Sequence, residues 1–227
     1  MSQSDVAPRP HALGRAETTA DLFQRHGKAV MAVALVLAAA VAGWYVYRST
    51  QSRQAVRAEQ AYFDAQQAMA TGNAAAGRTG LTNVVTRYGN TSAGVQSAIF
   101  LAQLDFDEKK FAEGIARLER AAGQGASKPY RSAVYGLIGA AYEEQGKWTE
   151  AATNYKRASE AALVEMDRLS MQANEARVYT RSGRPADAKR IWEAMAADPS
   201  GPMAGEARVR LGELETVPGA APAAARP

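Results

Sequence analysis

Residues 132–162 read SAVYGLIGAAYEEQGKWTEAATNYKRASEAA, two runs of helix-forming residues on either side of Gly146. Small residues in the stretch, such as Gly139 and Ala151, stand at fixed distances from a large one, Tyr155. Two antiparallel helices that cross closely need small side chains opposite large ones at their contact. The stretch therefore predicts a helical hairpin.

The same pattern recurs with a period of 37 residues, in repeats that begin at Ala58, Val95, Ser132 and Leu169. Three positions of the repeat keep one size class. The eighth is small: Ala65, Ala102, Gly139 and Ala176. The twentieth is also small: Gly77, Gly114, Ala151 and Ala188. The twenty-fourth is large: Leu81, Leu118, Tyr155 and Trp192. A turn between the two helices is expected at Gly72, Lys109, Gly146 and Gly183.

The third repeat resembles the tetratricopeptide repeat, a motif of about 34 residues. The residues that carry the resemblance are Gly139, Tyr142, Gly146, Ala151, Tyr155 and Ala158. The fourth repeat matches nearly as well, through Ala176, Tyr179, Gly183, Ala188, Trp192 and Pro199. The first two repeats depart from the motif, since Ala68 and Asp105 stand where it has an aromatic residue. We expect Met69 and Phe106, one place later, to fill that position, and the extra residues of each repeat to lie between repeats.

The resemblance implies an all-α fold, a helical solenoid of about four repeats. Residues 203–215 predict a solvating helix that covers the last repeat, because Ala207, Leu211 and Leu214 form one apolar stripe. Its outer side carries Glu206, Glu213 and, less typically, Val209.

Residues 29–47, AVMAVALVLAAAVAGWYVY, form a stretch without charge between Lys28 and Arg48. As a helix it would be about 28 Å long, close to the thickness of a bilayer's hydrocarbon core. We predict a single transmembrane helix, with a membrane interface marked by Lys28, Trp44, Tyr45, Tyr47 and Arg48. Its apolar character on all sides disfavours a core helix. A signal peptide cleaved after Ala42 remains an alternative.

These segments define the predicted domains. Residues 1–28 form a largely disordered tail, residues 29–47 the membrane span, residues 48–215 the repeat domain, and residues 216–227 a second disordered tail. Three basic residues flank the span on each side, so charge leaves its orientation open.

Composition argues against an enzyme. The chain has no cysteine, and its two histidines, His11 and His26, precede the span. The repeat domain therefore lacks the usual nucleophiles, acid–base groups and metal ligands, and no cofactor is expected. Glu143 and Glu144 form a carboxylate pair, which we interpret as a solvated helix end. The net charge of +4 is spread along the chain, which disfavours nucleic acid as a partner.

Protein binding is the remaining class, because a helical solenoid presents a concave face lined by the first helix of each repeat. The predicted protein-binding residues on that face are Tyr62, Gln66, Met69, Ile99, Gln103, Phe106, Glu143, Arg177 and Arg181. Tyr62, Ile99 and Phe106 are the candidates for apolar contact with flexible chains, although packing between helices would use the same residue types.

The order of the segments supports a closer resemblance. FQRHGKAV precedes the span and AGWYVYR ends it, with Gly27, Lys28, Gly43 and Trp44 placed as in the ancillary subunit family of the bacterial SecYEG translocon. That resemblance implies an inner-membrane protein with a cytoplasmic amino end and periplasmic repeats. Its expected partners are SecYEG subunits, periplasmic chaperones and exported polypeptides. The alternative is an organiser of the cell envelope or of division that binds another protein through the same repeats.

Overall fold

The computed structural model describes residues 19–216, with side chains described from Met31 onward. Residues 1–18 and 217–227, which hold most of the two predicted tails, lie outside the described residues, as does the side chain of Lys28. The chain divides into two compact units, residues 1–52 and 53–227, which are described separately.

In the first unit the described residues form one helix. This helix, α1 (Thr19–Ala70), continues past the apolar stretch into the second unit, as expected from the absence of proline and glycine in residues 48–71. Every side chain from Met31 to Arg48 is exposed. A core helix would be covered by other parts of the protein, so the exposure of these side chains does not fit the alternative of a core helix. Of the described helices, α1 alone is long and apolar enough to cross a membrane.

The secondary structure of the second unit is helical throughout its described residues, 53–216, as predicted. After the end of α1 come α2 (Ala74–Tyr88), α3 (Ser92–Asp107), α4 (Phe111–Ala122), α5 (Arg131–Glu144), α6 (Trp148–Ala161), α7 (Glu165–Arg181), α8 (Pro185–Ala196) and α9 (Ala204–Thr216). A short 3-10 helix, Gly125–Tyr130, precedes α5. The described residues contain no strand.

The turn inside each repeat has the same backbone geometry. In each of the four turns one residue has a positive φ. These residues are Gly72 (84°), Lys109 (60°), Gly146 (70°) and Gly183 (74°). The backbone N–H of the next residue then donates to a carbonyl near the end of the preceding helix. In the third repeat Lys147 donates to the carbonyl of Tyr142 at 2.9 Å. Glycine adopts this conformation without steric cost, whereas Lys109 does so with a side chain.

The small and large positions of the repeat build its core. All twelve residues at the eighth, twentieth and twenty-fourth positions are buried. A Cβ atom on Gly139 would lie 3.0 Å from the ring of Tyr155, so the two helices of that repeat meet where the pattern predicts. Met69 packs over Gly77 and Phe106 over Gly114, which confirms that these neighbours fill the place of the missing aromatic residues.

Asp105 has a role that its place in the repeat does not reveal. Its carboxylate is buried and binds two guanidinium groups, Arg78 at 3.0 Å and Arg117 at 3.0 and 3.1 Å. Because the arginines lie on α2 and α4, this cluster joins three helices. In the second repeat an ion cluster thus occupies the position of the motif's aromatic residue, while Phe106 makes the aromatic contact one place later.

The last helix, α9, covers the fourth repeat as predicted. Ala207 and Leu214 are buried in one cluster with Trp192 of α8, and Leu211 packs at its margin. Glu206, Glu213 and Val209 are exposed, which matches the outer side assigned to them.

Candidate functional site

The first helices of the repeats carry all the predicted binding residues. These helices are the end of α1, then α3, α5 and α7. In a solenoid of this type they line the inner face, so we call their accessible side the groove. The side chains on it differ from one repeat to the next.

In the first repeat, Tyr62 and Gln66 form a local pair. The Gln66 amide donates to the Tyr62 hydroxyl oxygen at 2.8 Å. The Tyr62 ring packs on the cluster of Ala58, Val84 and Ala93, and burial, as the largest cause, raises the pKa of Tyr62. Met69 is half-buried over Gly77, as described above. Tyr62 and Met69 therefore contribute to packing as well as to the groove.

In the second repeat, Ile99 and Phe106 are half-buried against a core cluster of α3, α4 and α5. Phe106 also stacks on Phe111, with ring centroids 6.0 Å apart. Gln103 is the predicted binding residue of this repeat that is exposed. The apolar contacts predicted here thus have intramolecular partners, and Gln103 remains accessible.

The third and fourth repeats meet at Glu143 of α5. Its Oε1 accepts a hydrogen bond from Arg181 Nη1 at 2.7 Å, and its Oε2 accepts one from the Tyr155 hydroxyl at 2.9 Å. Arg177 Nη2 lies 3.7 Å from Oε2. One carboxylate therefore faces two guanidinium groups and leaves an excess positive charge in this part of the groove.

Burial differs sharply within this cluster. The Glu143 side chain is 13% exposed, while those of Arg177 and Arg181 are 49% and 57% exposed. Burial, followed by the hydrogen bond to Glu143, raises the pKa of Tyr155 far above its ordinary value, so the hydroxyl remains a donor. The buried Glu143–Tyr155 pair holds the carboxylate, and the arginines offer free N–H groups to a bound chain.

Two clefts of about 210 Å³ each open beside this cluster, between α7, α8 and α9. Arg177, Trp192 and Arg210 line both. Arg210 binds Glu213 at 3.0 Å and lies 3.6 Å from Glu206, so carboxylates of its own helix neutralise it. Of the two groove arginines, Arg177 lines both clefts and Arg181 lines one of them.

The structure thus brings Glu143, Arg177 and Arg181 together and pairs Tyr62 with Gln66, whereas the other predicted binding residues lie apart. Sequence reasoning missed Tyr155 as the partner that orients Glu143. The signal for it was its place as the large residue at the twenty-fourth position, opposite α5. Of the predicted interface residues, Trp44, Tyr45, Tyr47 and Arg48 are exposed on α1, and the Arg48 guanidinium lies 5.4 Å from the centre of the Trp44 ring.

The described residues contain no group of three or more acidic side chains placed to hold a metal ion. Of the buried carboxylates, Asp105 binds Arg78 and Arg117, and Glu175 shares a hydrogen bond with Tyr179. With two exposed guanidinium groups around one carboxylate, the Glu143 cluster is suited to binding by ion pairs and hydrogen bonds.

A family model for the tetratricopeptide repeat-like domain matches residues 21–215. The chain belongs to the tetratricopeptide repeat-like domain family. Domains with this type of repeat bind other proteins and typically serve as interaction scaffolds, without catalysis of their own. No curated protein matches the sequence significantly.

Solved structures of tetratricopeptide-like repeats share the fold. A crystal structure described as Podosopora anserina putative kinesin light chain nearly identical TPR-like repeats is 19% identical, with a TM-score of 0.53, and the match covers 70% of this chain and 85% of that one. A crystal structure of a variant of the same repeats is 20% identical, with the same TM-score, and covers 70% and 84%. At this identity the likeness extends to the fold alone.

Proposed function

We propose that this protein is a membrane-tethered scaffold that binds other polypeptides through the groove of its tetratricopeptide-like repeats. The observation that carries the proposal is that one chain holds both a repeat domain and an exposed apolar helix long enough to span a bilayer. A tether confines the repeats to a thin layer at the membrane. It thereby raises their effective concentration toward partners in the same membrane.

The finer proposal is a place beside the SecYEG translocon. It rests on the resemblance of FQRHGKAV and AGWYVYR, and of the residues Gly27, Lys28, Gly43 and Trp44, to the ancillary translocon subunits. In this proposal residues 29–47 span the bacterial inner membrane and residues 1–28 lie in the cytoplasm. Residues 48–215 form the periplasmic repeat domain, and residues 216–227 follow it as a tail.

The ligands proposed for the groove are exported polypeptides and periplasmic chaperones. The excess positive charge at Arg177 and Arg181 fits a segment with acidic side chains. The exposed amide of Gln103 fits the backbone of an extended chain, because it offers both a donor and an acceptor.

Site-specific photocrosslinking in cells tests the proposal, with one probe at Tyr45 and one at Gln103, read out with the intact mass of the protein. We expect translocon subunits from Tyr45 and exported chains or chaperones from Gln103. A probe at Thr153, exposed on the second helix of its repeat, is the control and should capture neither.

Other outcomes would identify other functions. A species beginning at Gly43, without membrane crosslinks, would mean a cleaved signal peptide and would overturn the tether. Crosslinks to septal or peptidoglycan enzymes would favour the organiser of the envelope or of division.

A further inference from the structure

A cleft of about 400 Å³ opens between α2 and α4, the second helices of the first two repeats. Its floor is α3, where the small residues Gly94 and Ala98 leave the space open. Arg117 and Arg120 of α4 line one side, and no carboxylate lines the cleft among the described residues. Arg117 is neutralised by Asp105. The Nε of Arg120 donates only to a carbonyl of its own helix, and this arginine forms no ion pair within residues 31–216.

The next repeat fills the equivalent space with an aromatic ring. At the spacing of 37 residues, Ala98 corresponds to Tyr135 and Arg120 corresponds to Arg157. The Arg157 guanidinium lies 4.1 Å from the centre of the Tyr135 ring, which is a cation–π contact. In the cleft, Arg120 keeps the position of the cation, but alanine stands where the ring would be. The cleft therefore has room for an aromatic side chain that its own repeat does not supply.

The outer side of α1 presents such a side chain. Of the aromatic residues described in residues 53–216, Phe63 alone is exposed, with 61% of its surface accessible. Val56, two turns earlier on the same side of the helix, is 71% exposed. Two exposed carboxylates flank the ring, Glu59 one turn before it and Asp64 directly after it. Neither carboxylate forms an ion pair among the described residues, so both are available to a cation of another chain.

The cleft and the exposed side of α1 lie at the same height in the second unit. A Cβ atom on Gly80 of α2 would lie 2.7 Å from the Cβ atom of Ala65, so these two residues are level. Because α2 runs antiparallel to α1 with the same rise per residue, residues 82–89 of α2 are level with residues 56–63 of α1. Residues 82–89 are the part of α2 that lines the cleft. A second copy beside the first, with its α1 parallel, would thus bring its exposed apolar residues to the height of the cleft.

We propose that the cleft between α2 and α4 receives Phe63 of a second copy of this chain, so that copies associate side by side. The ring of Phe63 lies over Ala98, and Arg120 packs against its face as Arg157 does in the next repeat. The two carboxylates beside Phe63 bring negative charge to a cleft that is lined by two arginines. The contact accounts both for an open cleft and for the one exposed aromatic residue described in the second unit.

Sedimentation velocity of the full-length protein in detergent micelles measures this association. We expect the wild type to form an assembly of two or more copies that depends on protein concentration. Phe63→Ser removes the ring, and Ala98→Tyr fills the cleft as Tyr135 fills its own space. Each substitution should raise the dissociation constant at least about tenfold.

Matched controls separate the contact from general effects of substitution. Ala98→Ser keeps the cleft open, and Leu163→Ser removes an apolar side chain that is 66% exposed elsewhere. Both should change the dissociation constant by less than about threefold. Arg120→Glu, at an exposed site, tests the cleft without filling it: the new charge repels Glu59 and Asp64, so association should weaken at least about fivefold. Circular dichroism shows whether each variant is folded.

A mixture of two variants identifies the occupant of the cleft. Phe63→Ser keeps an open cleft and Ala98→Tyr keeps the exposed ring, so one chain of each kind can form a single contact. The two variants are labelled with a fluorescent donor and acceptor, with micelles in large excess so that chains rarely share one by chance. Energy transfer in the mixture should exceed that of either variant alone at least about threefold.

Three results would overturn the proposal. The first is a wild-type protein that sediments as a monomer at about 100 μM, where a specific contact would be populated. The second is equal association of the wild type and Phe63→Ser, and the third is a loss in both variants that mixing does not reverse. None of the substituted residues belongs to the predicted binding residues of the groove, so the outcome is independent of the function proposed for the groove.

Discussion

Asp105 illustrates how one position of a repeat can change its chemistry while the fold stays the same. Tyr142 and Tyr179 occupy this position in the next two repeats and pack in their cores. Asp105 instead holds Arg78 and Arg117, and all three groups would need hydration if the cluster were broken. Removing one partner of a buried ion pair leaves the other charges without compensation.

We expect Asp105→Ala to lower the free energy of unfolding by about 3–5 kcal/mol, because Arg117 loses its counter-ion in a partly dry environment and Arg78 keeps only the more exposed Glu108. Urea unfolding of the full-length protein, followed by circular dichroism, measures the change. Glu160→Ala is the control: its ion pair with Lys156 is exposed and 4.0 Å long, so it should cost less than about 1 kcal/mol. Equal effects of the two substitutions would refute a structural role for the cluster.

Glu175 makes the stability of the folded protein depend on pH. Burial, the largest cause, raises the pKa of this carboxyl on α7, against a hydrogen bond with Tyr179 and the charge of Lys156. The folded protein therefore holds this proton to a higher pH than the unfolded chain. Between the two pKa values the folded state binds more protons, so Glu175 lowers stability as pH rises through its folded pKa.

We expect Glu175→Gln to remove that penalty, because the amide is neutral at every pH. The midpoint of thermal unfolding of the variant should exceed that of the wild type above the raised pKa. The difference should disappear as the pH falls toward the ordinary value for glutamate. Glu119→Gln, at an exposed site on α4, should show no such trend, and a wild-type advantage at pH 8 would contradict the assignment.

At the scale of residues, the sequence predicted the contacts that recur with the repeat period and missed the contacts that occur in one repeat alone. The size classes at three positions follow from helix crossing, and all twelve residues are buried as predicted. The partners of Asp105 lie 27 and 12 residues away at unrelated places in the repeat. No periodic signal brings them together.

Among the elements, glycine has opposite effects on stability in the turns and in α9. Gly146 has a φ of 70°, which a residue with a Cβ adopts only at a cost. Gly212 lies in a helix with open space around it, where glycine only weakens the helix.

The same substitution should therefore change stability in opposite directions at these two sites. Gly146→Ala should lower the free energy of unfolding by about 1–2 kcal/mol, and Gly212→Ala should raise it by about 1 kcal/mol. Chemical denaturation of both variants gives the comparison, with circular dichroism to show equal helix content. Stabilisation by Gly146→Ala would mean that the turn does not require a positive φ.

The connections between repeats were the least predictable elements. The 3-10 helix Gly125–Tyr130 has no counterpart in the sequence prediction. Its start depends on a distant contact, since the Gly125 N–H donates to the Asn90 side-chain oxygen at 2.9 Å. By contrast, the limits of α9 came within one residue, because its apolar stripe is a local signal.

For the molecule as a whole, the predicted binding residues with exposed charges, Arg177 and Arg181, lie in the last repeat. Arg177 and Arg181 share one carboxylate, but Arg181 is the closer partner of Glu143. Substituting Arg177 therefore removes the surplus cation while the shorter ion pair stays in place. Sequence alone placed these residues on one face and could not state which of them would be neutralised.

We expect Arg177→Ser to weaken binding of an acidic, unfolded model polypeptide by about tenfold at low salt, and by less at high salt because exposed charges are screened. Fluorescence anisotropy with the full-length protein in micelles measures both affinities. Lys156→Ser removes an exposed cation from a second helix and should leave binding unchanged. A loss of the same size in both variants would point to general charge attraction instead of the groove.

The tether depends on a helix that is only moderately apolar, since seven of its nineteen residues are alanine. An arginine at the centre of a span costs about 2.5–3.5 kcal/mol of insertion free energy, enough to shift such a helix out of the membrane. We expect Leu37→Arg to move the protein from the membrane pellet to the soluble fraction after alkaline extraction. Val56→Arg, an equally exposed site on α1 beyond the apolar stretch, should stay in the pellet. If both variants behave as the wild type, the apolar helix is not what holds the protein at the membrane, and the effective concentration that the scaffold requires must have another source.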